Sequence, residues 1–271
     1  MAIGTRLGWM FVFMRNMPLL INHIVSYMFG KPVVPAAFRV SGYRFWVRNI
    51  NTIGILRKAM LETQGIRGKA YSEVDAFIDV GGHAGAKAFA AKYVNPGLQV
   101  FLFEPNPLNV ELLKSTFEGV RNIEIVEVGI GNESRTQKLY FDPDHLDTAS
   151  LNPKHYFLRK NSRREVIEKD VRIIPLDAHF SGAVPFRQGY LKIDVESTEA
   201  AVLDGAIETL KRCAYLELEI TQGESQNASD ILAKLVREFE FDILDCEFIG
   251  ADEEGAPRAA NLLLKRKNAL K

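Results

Sequence analysis

Apolar positions along this chain fall into two regimes. From residue 75 onward, short β-branched runs alternate with amphipathic ones. Ala76–Val80, Leu98–Phe103 and Ile123–Val128 read as strands, with Gly85–Val94 and Leu108–Phe117 as the helices between them. After an irregular stretch the alternation resumes: strand Tyr190–Asp194, helix Glu199–Lys211, strand Ala214–Ile220, helix Ala228–Phe239. Short apolar strands spaced by helices imply a parallel sheet covered on both faces. The last two runs, Phe241–Phe248 and Ala260–Arg266, are joined only by a Gly/Pro/Asp turn region at 250–257. They are expected as an antiparallel pair at one sheet edge. The result is an α/β sheet of seven strands, mostly parallel, with an antiparallel last strand.

Upstream the pattern differs. Residues 7–30 are rich in Met, Phe, Leu and Ile, but Arg15, Asn16, Pro18, Asn22 and His23 interrupt them. A spanning helix needs about 20 nearly continuous apolar residues, so this is not a transmembrane segment. No small-x-small cleavage site follows, which argues against a signal peptide. A Pro-rich hinge at 31–35 leads to alternation around Ser41-Gly42 over residues 38–47, a hairpin signature. Residues 52–65 carry a helical stripe of Ile53, Ile55, Leu56, Met60 and Leu61.

Composition is ordinary for a globular protein of 271 residues, and two cysteines exclude a disulfide scaffold and a four-cysteine zinc module. The 34 basic and 34 acidic side chains cancel. The cancellation hides an asymmetry. Residues 1–61 contain no acid and eight bases, so they carry +8 and the remainder −8. The chain therefore divides into a basic, apolar extension (1–61) and a main domain (62–271) with an insert at about 133–188. Residues 1–30 have two readings. They cover an apolar face or pair two subunits as a homodimer, or they form a peripheral anchor at the inner membrane face of a cytoplasmic protein. A nucleic-acid partner is not expected.

In an open parallel sheet, ligands sit beyond the carboxyl ends of the strands. Four strand ends carry candidate chemistry. The first is the stretch from Asp79 through Gly81, Gly82 and His83 to Gly85, an acid followed by a glycine turn into a helix. Its spacing is Asp-x-Gly-x-x-x-Gly. An acid in this loop repels a pyrophosphate but suits the cationic methionine moiety of S-adenosylmethionine. The second is Phe103-Glu104-Pro105-Asn106-Pro107, whose Glu104 can accept hydrogen bonds from ribose hydroxyls. Asn106 also reads as a helix N-cap. The third is Gly129-Ile130-Gly131-Asn132, where Ile130 can pack on an adenine ring and Asn132 can hydrogen-bond to it. A plain glycine turn explains that sequence as well. The fourth is Lys192-Ile193-Asp194-Val195-Glu196-Ser197, an acid pair at the end of the fourth strand. Asp194 and Glu196 are placed to orient a hydroxyl, accept its proton or hold the cofactor's ammonium. The alternative is a helix cap.

These motifs, in this order and spacing, resemble the FkbM family of S-adenosylmethionine-dependent methyltransferases. The resemblance covers roughly residues 38–266 and is carried most specifically by FEPNP at 103–107 and KIDVE at 192–196. The LDAH segment at 176–179 and the strand with Glu217 and Glu219 also look like the family's. Three positions depart from its usual pattern: His83 replaces Asn, Ser197 replaces Gly, and Gly129–Asn132 replaces an Ala-Leu-Ser-Asp-like loop. The resemblance implies a Rossmann-like class I methyltransferase fold. It also implies O-methylation of a hydroxyl on a sugar, glycan or glycolipid precursor, or natural product.

Methyl transfer from a sulfonium to a hydroxyl oxygen needs alignment, exclusion of water and removal of one proton. The candidate bases are Asp194, Glu196 and His155, the last from the insert; such a base contributes about 10²–10⁴-fold. No ligand spacing calls for a metal. The basic residues Arg159, Lys160, Arg163, Arg164, Lys169 and Arg172 form a solvated surface or recognise an acidic acceptor. Two other classes stand beside this reading, a non-catalytic binding protein with the same fold and an NAD-dependent oxidoreductase.

Overall fold

The computed structural model describes residues 36–40, 43–47, 50–142, 145–152, 166–181, 183–221, 228–251 and 257–268, together with Met14, Asn16 and Met17. The membrane-anchor reading of residues 1–30, His155, and the bases at 159–164 lie outside these residues, those three positions apart. Among the described residues no helix is long and apolar enough to cross a membrane.

The expected hairpin forms from β1 (Ala36–Val40) and β2 (Tyr43–Val47), with Val40 opposite Tyr43. Two helices follow, α1 (Ile50–Glu62) and α2 (Ile66–Glu73), where the apolar stripe indicated one. The stripe residues Ile53, Leu56 and Met60 are buried. They share one core with Phe45 of the hairpin and Phe89, whose rings meet edge to face at 5.4 Å.

The main sheet comprises β3 (Ala76–Val80), β4 (Gln99–Phe103), β5 (Ile123–Val126), β10 (Gly189–Ile193), β11 (Cys213–Thr221), β12 (Phe241–Ala251) and β13 (Pro257–Arg266). Its order is β12-β13-β11-β10-β3-β4-β5. Strands β10, β11, β3, β4 and β5 pair parallel, and β13 runs antiparallel between β11 and β12. This is the Rossmann-like methyltransferase architecture expected from the strand pattern. The connecting helices are α3 (Ala86–Val94), α4 (Pro107–Thr116), α5 (Leu176–His179), α6 (Glu199–Asp204), α7 (Ile207–Lys211) and α8 (Ala228–Arg237). They sort onto the two faces, and each face has its own apolar cluster.

The structure corrects the sequence reading at three places. The expected helix 199–211 is two, broken at Gly205, where a Cβ would stand 1.9 Å from the Gly131 carbonyl oxygen. The strand expected at 123–128 stops at Val126. The stretch taken as irregular instead builds a second sheet from β6 (Gly129–Ile130), β7 (Arg135–Asp142), β8 (His145–Ser150) and β9 (Ile167–Ile174), in the order β6-β9-β7-β8. Its strands expose many polar side chains, Lys169 and Arg172 among them, and bury only a narrow apolar set such as Leu139, Phe141, Val171 and Ile173. That leaves little hydrophobic periodicity to read.

Candidate active site

The chain order reverses between β3 and β10, and a cleft of about 500 Å³ opens beyond their carboxyl ends. Register explains what meets there. Phe77, Tyr190 and Tyr215 are direct partners across β3, β10 and β11. Two residues further along, Asp79, Lys192 and Glu217 form the next row on the same face. An aromatic floor thus supports a charged layer, and the charged layer underlies the cleft.

Lys192 Nζ lies 3.1 Å from Asp79 Oδ1, 3.3 Å from Asp194 Oδ2 and 3.3 Å from the Gly81 carbonyl oxygen. Burial opposes the ammonium charge, but Asp79 and Asp194 outweigh it and raise its pKa. Asp79 is buried, and desolvation raises its pKa against the pull of Lys192. A second network lies beside the first. Glu217 accepts from Lys87 at 2.7 Å, from Arg67 at 3.3 Å and from the Tyr190 hydroxyl. Lys87 also binds Glu62, and Arg67 reaches Asp245 at 3.0 Å. Burial disfavours the Glu217 charge, yet Lys87 and Arg67 hold its pKa at about 2.

Glu104 closes β4 and faces the cleft. Its Oε2 accepts from the His83 N–H at 2.7 Å and its Oε1 from the Asn106 N–H at 2.9 Å. Burial nevertheless pushes its pKa up to about 7. The Asn109 side chain donates to it as well, and a carboxylate has about four acceptor sites, so these three donors leave it capacity for one more.

The glycine loop is shaped by the protein around it. At Gly81, with φ +83°, a Cβ would meet the Asp194 carbonyl oxygen at 1.9 Å. At Gly85, with φ +80°, it would meet Phe117 at 2.6 Å. Gly85 is the N-cap of α3 and does not line the cleft, whereas Asp79, Gly81, Gly82 and His83 do. His83 has φ +47°. His, like the Asn usual in the family pattern, is enriched at positive φ, so the departure keeps the backbone.

Of the remaining expected residues, Gly129, Ile130, Asp194 and Glu196 line the cleft. Asn106 and Asn132 do not. Asn106 is buried as the N-cap of α4, its Oδ1 accepting from the Leu108 N–H at 3.1 Å, with Pro107 completing the first turn. Asn132 is exposed and accepts from Arg135 at 3.1 Å. Glu196 and Ser197 both adopt positive φ, +57° and +82°. Ser197 stands where the family pattern has Gly; its effect is strained backbone. Its N–H donates to Glu199 Oε1 at 3.0 Å, while the N-cap of α6 is Thr198, whose side chain makes no cap bond.

Lys192, Lys87 and Glu219 also line the cleft, and sequence reasoning gave them no role there. The signal for Lys192 was its place inside an apolar strand, since a lysine is rarely buried unless paired. Burial, with Asp194 and Glu196 nearby, pushes the Glu219 pKa up to about 8. Among the described residues no three His, Cys, Asp or Glu side chains converge as a metal site.

Comparisons place this geometry among known proteins. The fold is similar to the FkbM methyltransferase of Methylobacillus flagellatus KT, with 12% identity, TM-score 0.43, and coverage of 78% of this chain and 59% of that one. The chain thus spans under two thirds of that protein. Fibrillarin of Aeropyrum pernix, solved with natively bound S-adenosyl-L-methionine, shares 15% identity at TM-score 0.45, covering 86% of this chain and 84% of its own. Precorrin-6y C5,15-methyltransferase of Geobacter metallireducens GS-15 shares 10% identity at TM-score 0.41, covering 75% and 88%. No curated protein matches the chain. The methyltransferase FkbM domain matches residues 79–246, more than half of the sequence, and the chain belongs to that family.

Proposed function

We propose that this protein is an S-adenosylmethionine-dependent O-methyltransferase that acts on a hydroxyl of a sugar, a glycan or glycolipid precursor, or a natural product. Glu104 carries the reading. It is a buried carboxylate at a strand end, held by two backbone N–H groups and the Asn109 side chain, facing the cleft and without an ion-pair partner among the described residues. A ribose hydroxyl is the donor that suits its remaining acceptor site, because it stabilises the ionised form that burial disfavours.

The rest of the cleft supports the same cofactor. Asp79, Glu104, Asp194, Glu196, Glu217 and Glu219 line it against Lys58, Lys87 and Lys192. An excess of acid suits a cationic ligand and opposes a pyrophosphate, which disfavours NAD. Ile130 and Phe103 supply apolar surface for a base. When bound, S-adenosylmethionine supplies an activated methyl group on sulfur. The chain aligns the acceptor, excludes water and takes the hydroxyl proton. Titration calorimetry with S-adenosylhomocysteine and NAD tests the cofactor. Binding of the first alone is expected, and binding of NAD alone would overturn the reading. Labelled methyl transfer into lysate fractions then identifies the acceptor, and an alkali-stable ether linkage is the expected product.

A further inference from the structure

We propose that Glu219 is the general base of the transfer, and that entry of the cationic cofactor converts it to its ionised, base-competent form. The inference rests on the cofactor reading above.

The geometry begins with the strand register. Glu217 belongs to the charged row, and Glu219 lies two residues further along the same face of β11, towards the open end of the cleft. It stands one step past the last paired residues, Ile193 and Leu218, at the level of Asp194. Across the other edge of β11 its partner is Asn261 of β13, which also lines the cleft. An acid and an amide side by side in the cleft form an acceptor–donor pair suited to a hydroxyl.

The neighbouring aspartates are less free to take a proton. Asp194 is ion-paired to Lys192. Lys192 is also shared with Asp79. Glu196 follows in the loop beyond the strand, off the ladder row that sets Glu219 beside Asn261. Among the described residues Glu219 makes no ion pair. The charged groups around it are Asp194 and Glu196 from the loop after β10, Lys192 from β10 and Glu199 from α6. Two of these three acids, Asp194 and Glu196, line the cleft beside Glu219 with Lys192 as the one cation among the four groups, so a proton on Glu219 relieves the repulsion. Burial and these acids push its pKa up to about 8, so at neutral pH the empty site holds that proton. A sulfonium and an ammonium in the cleft reverse the balance and expel it.

In the transfer, the acceptor O–H bond breaks and its proton passes to Glu219. The O–C bond forms as the C–S bond of the sulfonium donor breaks. The products are a methyl ether, a neutral thioether and a neutral carboxylic acid. Loss of the sulfonium charge leaves Glu219 in the environment where it keeps its proton until product leaves.

The test compares S-adenosylmethionine with S-adenosylhomocysteine, which share the ribose and differ in the sulfonium charge. Binding enthalpies in buffers of different ionisation heat give the protons released. At pH 7 the wild-type protein should release more protons with the sulfonium ligand. Glu219→Gln should keep S-adenosylhomocysteine affinity and abolish that difference. An undiminished difference in Glu219→Gln would overturn the proposal, as would equal release by the two ligands in the wild type. Should Glu219→Gln not fold, the wild type still decides. The ratio of the two affinities should shift toward the sulfonium ligand as pH rises from 6 to 8, by up to about tenfold per pH unit. A flat ratio overturns the proposal. If neither ligand binds, the cofactor reading fails instead.

Discussion

Lys192 Nζ stands 3.1 Å from Asp79 Oδ1, and the two residues are direct partners across the β3–β10 pair. One buried ammonium therefore fixes the acid of the glycine loop and, through Asp194, the acid after β10. The two strand ends at the switch point are tied by charge as well as by the ladder. Removing the ammonium leaves buried carboxylate uncompensated, which costs about 3–5 kcal/mol. Lys192→Met should show a loss of that size in urea denaturation. Asp79→Asn added to it should restore part, because the orphaned charge is then gone. If Lys192→Met unfolds at the wild-type midpoint, the pair has no structural weight.

The Gly81 backbone needs both its positive φ and its missing Cβ. The atom a Cβ would strike is a main-chain oxygen of Asp194, which cannot rotate away. Gly81→Ala should lose at least about 2 kcal/mol of stability and should weaken S-adenosylhomocysteine binding. Gly97→Ala is the matched control. Its nearest neighbour is Asn95 Oδ1 at 3.6 Å, and its effect should stay within about 0.5 kcal/mol. Equal effects of the two substitutions in calorimetry would show that the close approach does not matter.

Asn106 sits in the most specific motif of the sequence yet holds the helix rather than the cleft. Its side chain caps α4, and its N–H, which any residue would supply, holds Glu104. Asn106→Ala should cost at most about 1 kcal/mol, since its buried Nδ2 has no hydrogen-bond partner to lose. S-adenosylhomocysteine affinity should be unchanged. A large loss of affinity at unchanged stability would return Asn106 to the binding site.

The central sheet was legible because its strands are buried on both faces, so each reads as an apolar run broken by one charged residue near its end, as in Ala76–Val80 and Gly189–Ile193. The acids were legible for the same reason, since Asp79, Glu104 and Asp194 interrupt those runs where they end. The second sheet was not. Residues 167–170 of β9 are all exposed, and a strand whose outer side meets water is held mainly by its ladder with β7, which leaves no trace in composition. The pairing of Lys192, Glu217 and Lys87 was hidden by distance along the chain. Glu217 and Lys87 are 130 residues apart, and only the packing of α3 against the sheet brings them together. Gly81 and Gly85 were visible as glycines, but what each avoids, a carbonyl and a phenyl ring, is a tertiary fact.

Glu104 and Glu217 pull stability in opposite directions with pH. Burial raises the Glu104 pKa from 4.5 to about 7, so the folded chain keeps a proton that the unfolded chain releases. Its contribution is complete below pH 4.5 and is lost as pH rises through about 7, on the order of 3 kcal/mol in all. Glu217 is the reverse. Burial resists its charge, but Lys87 and Arg67 hold its pKa near 2, so its contribution is present above pH 4.5 and lost as pH falls through about 2. The ligand-free protein should therefore weaken between pH 5 and 7, and Glu104→Gln should make that slope shallower, by about half, without touching the acid limb. Glu219, raised from 4.5 to about 8, should sustain the remaining slope from pH 5 to about 8 in that variant. Glu217→Gln should lower stability by about 3–5 kcal/mol at neutral pH, because Lys87 and Arg67 lose their shared counter-charge, and should flatten the acid limb instead. Urea midpoints at pH 3, 5, 6, 7 and 8 measure both limbs. Saturating S-adenosylhomocysteine should remove the Glu104 slope in the wild type, since ribose hydroxyls that stabilise the carboxylate bring its folded pKa back toward 4.5. Glu219 keeps its own share of the slope in that complex, so an undiminished slope between pH 5 and 7 would mean that Glu104 does not meet the ribose.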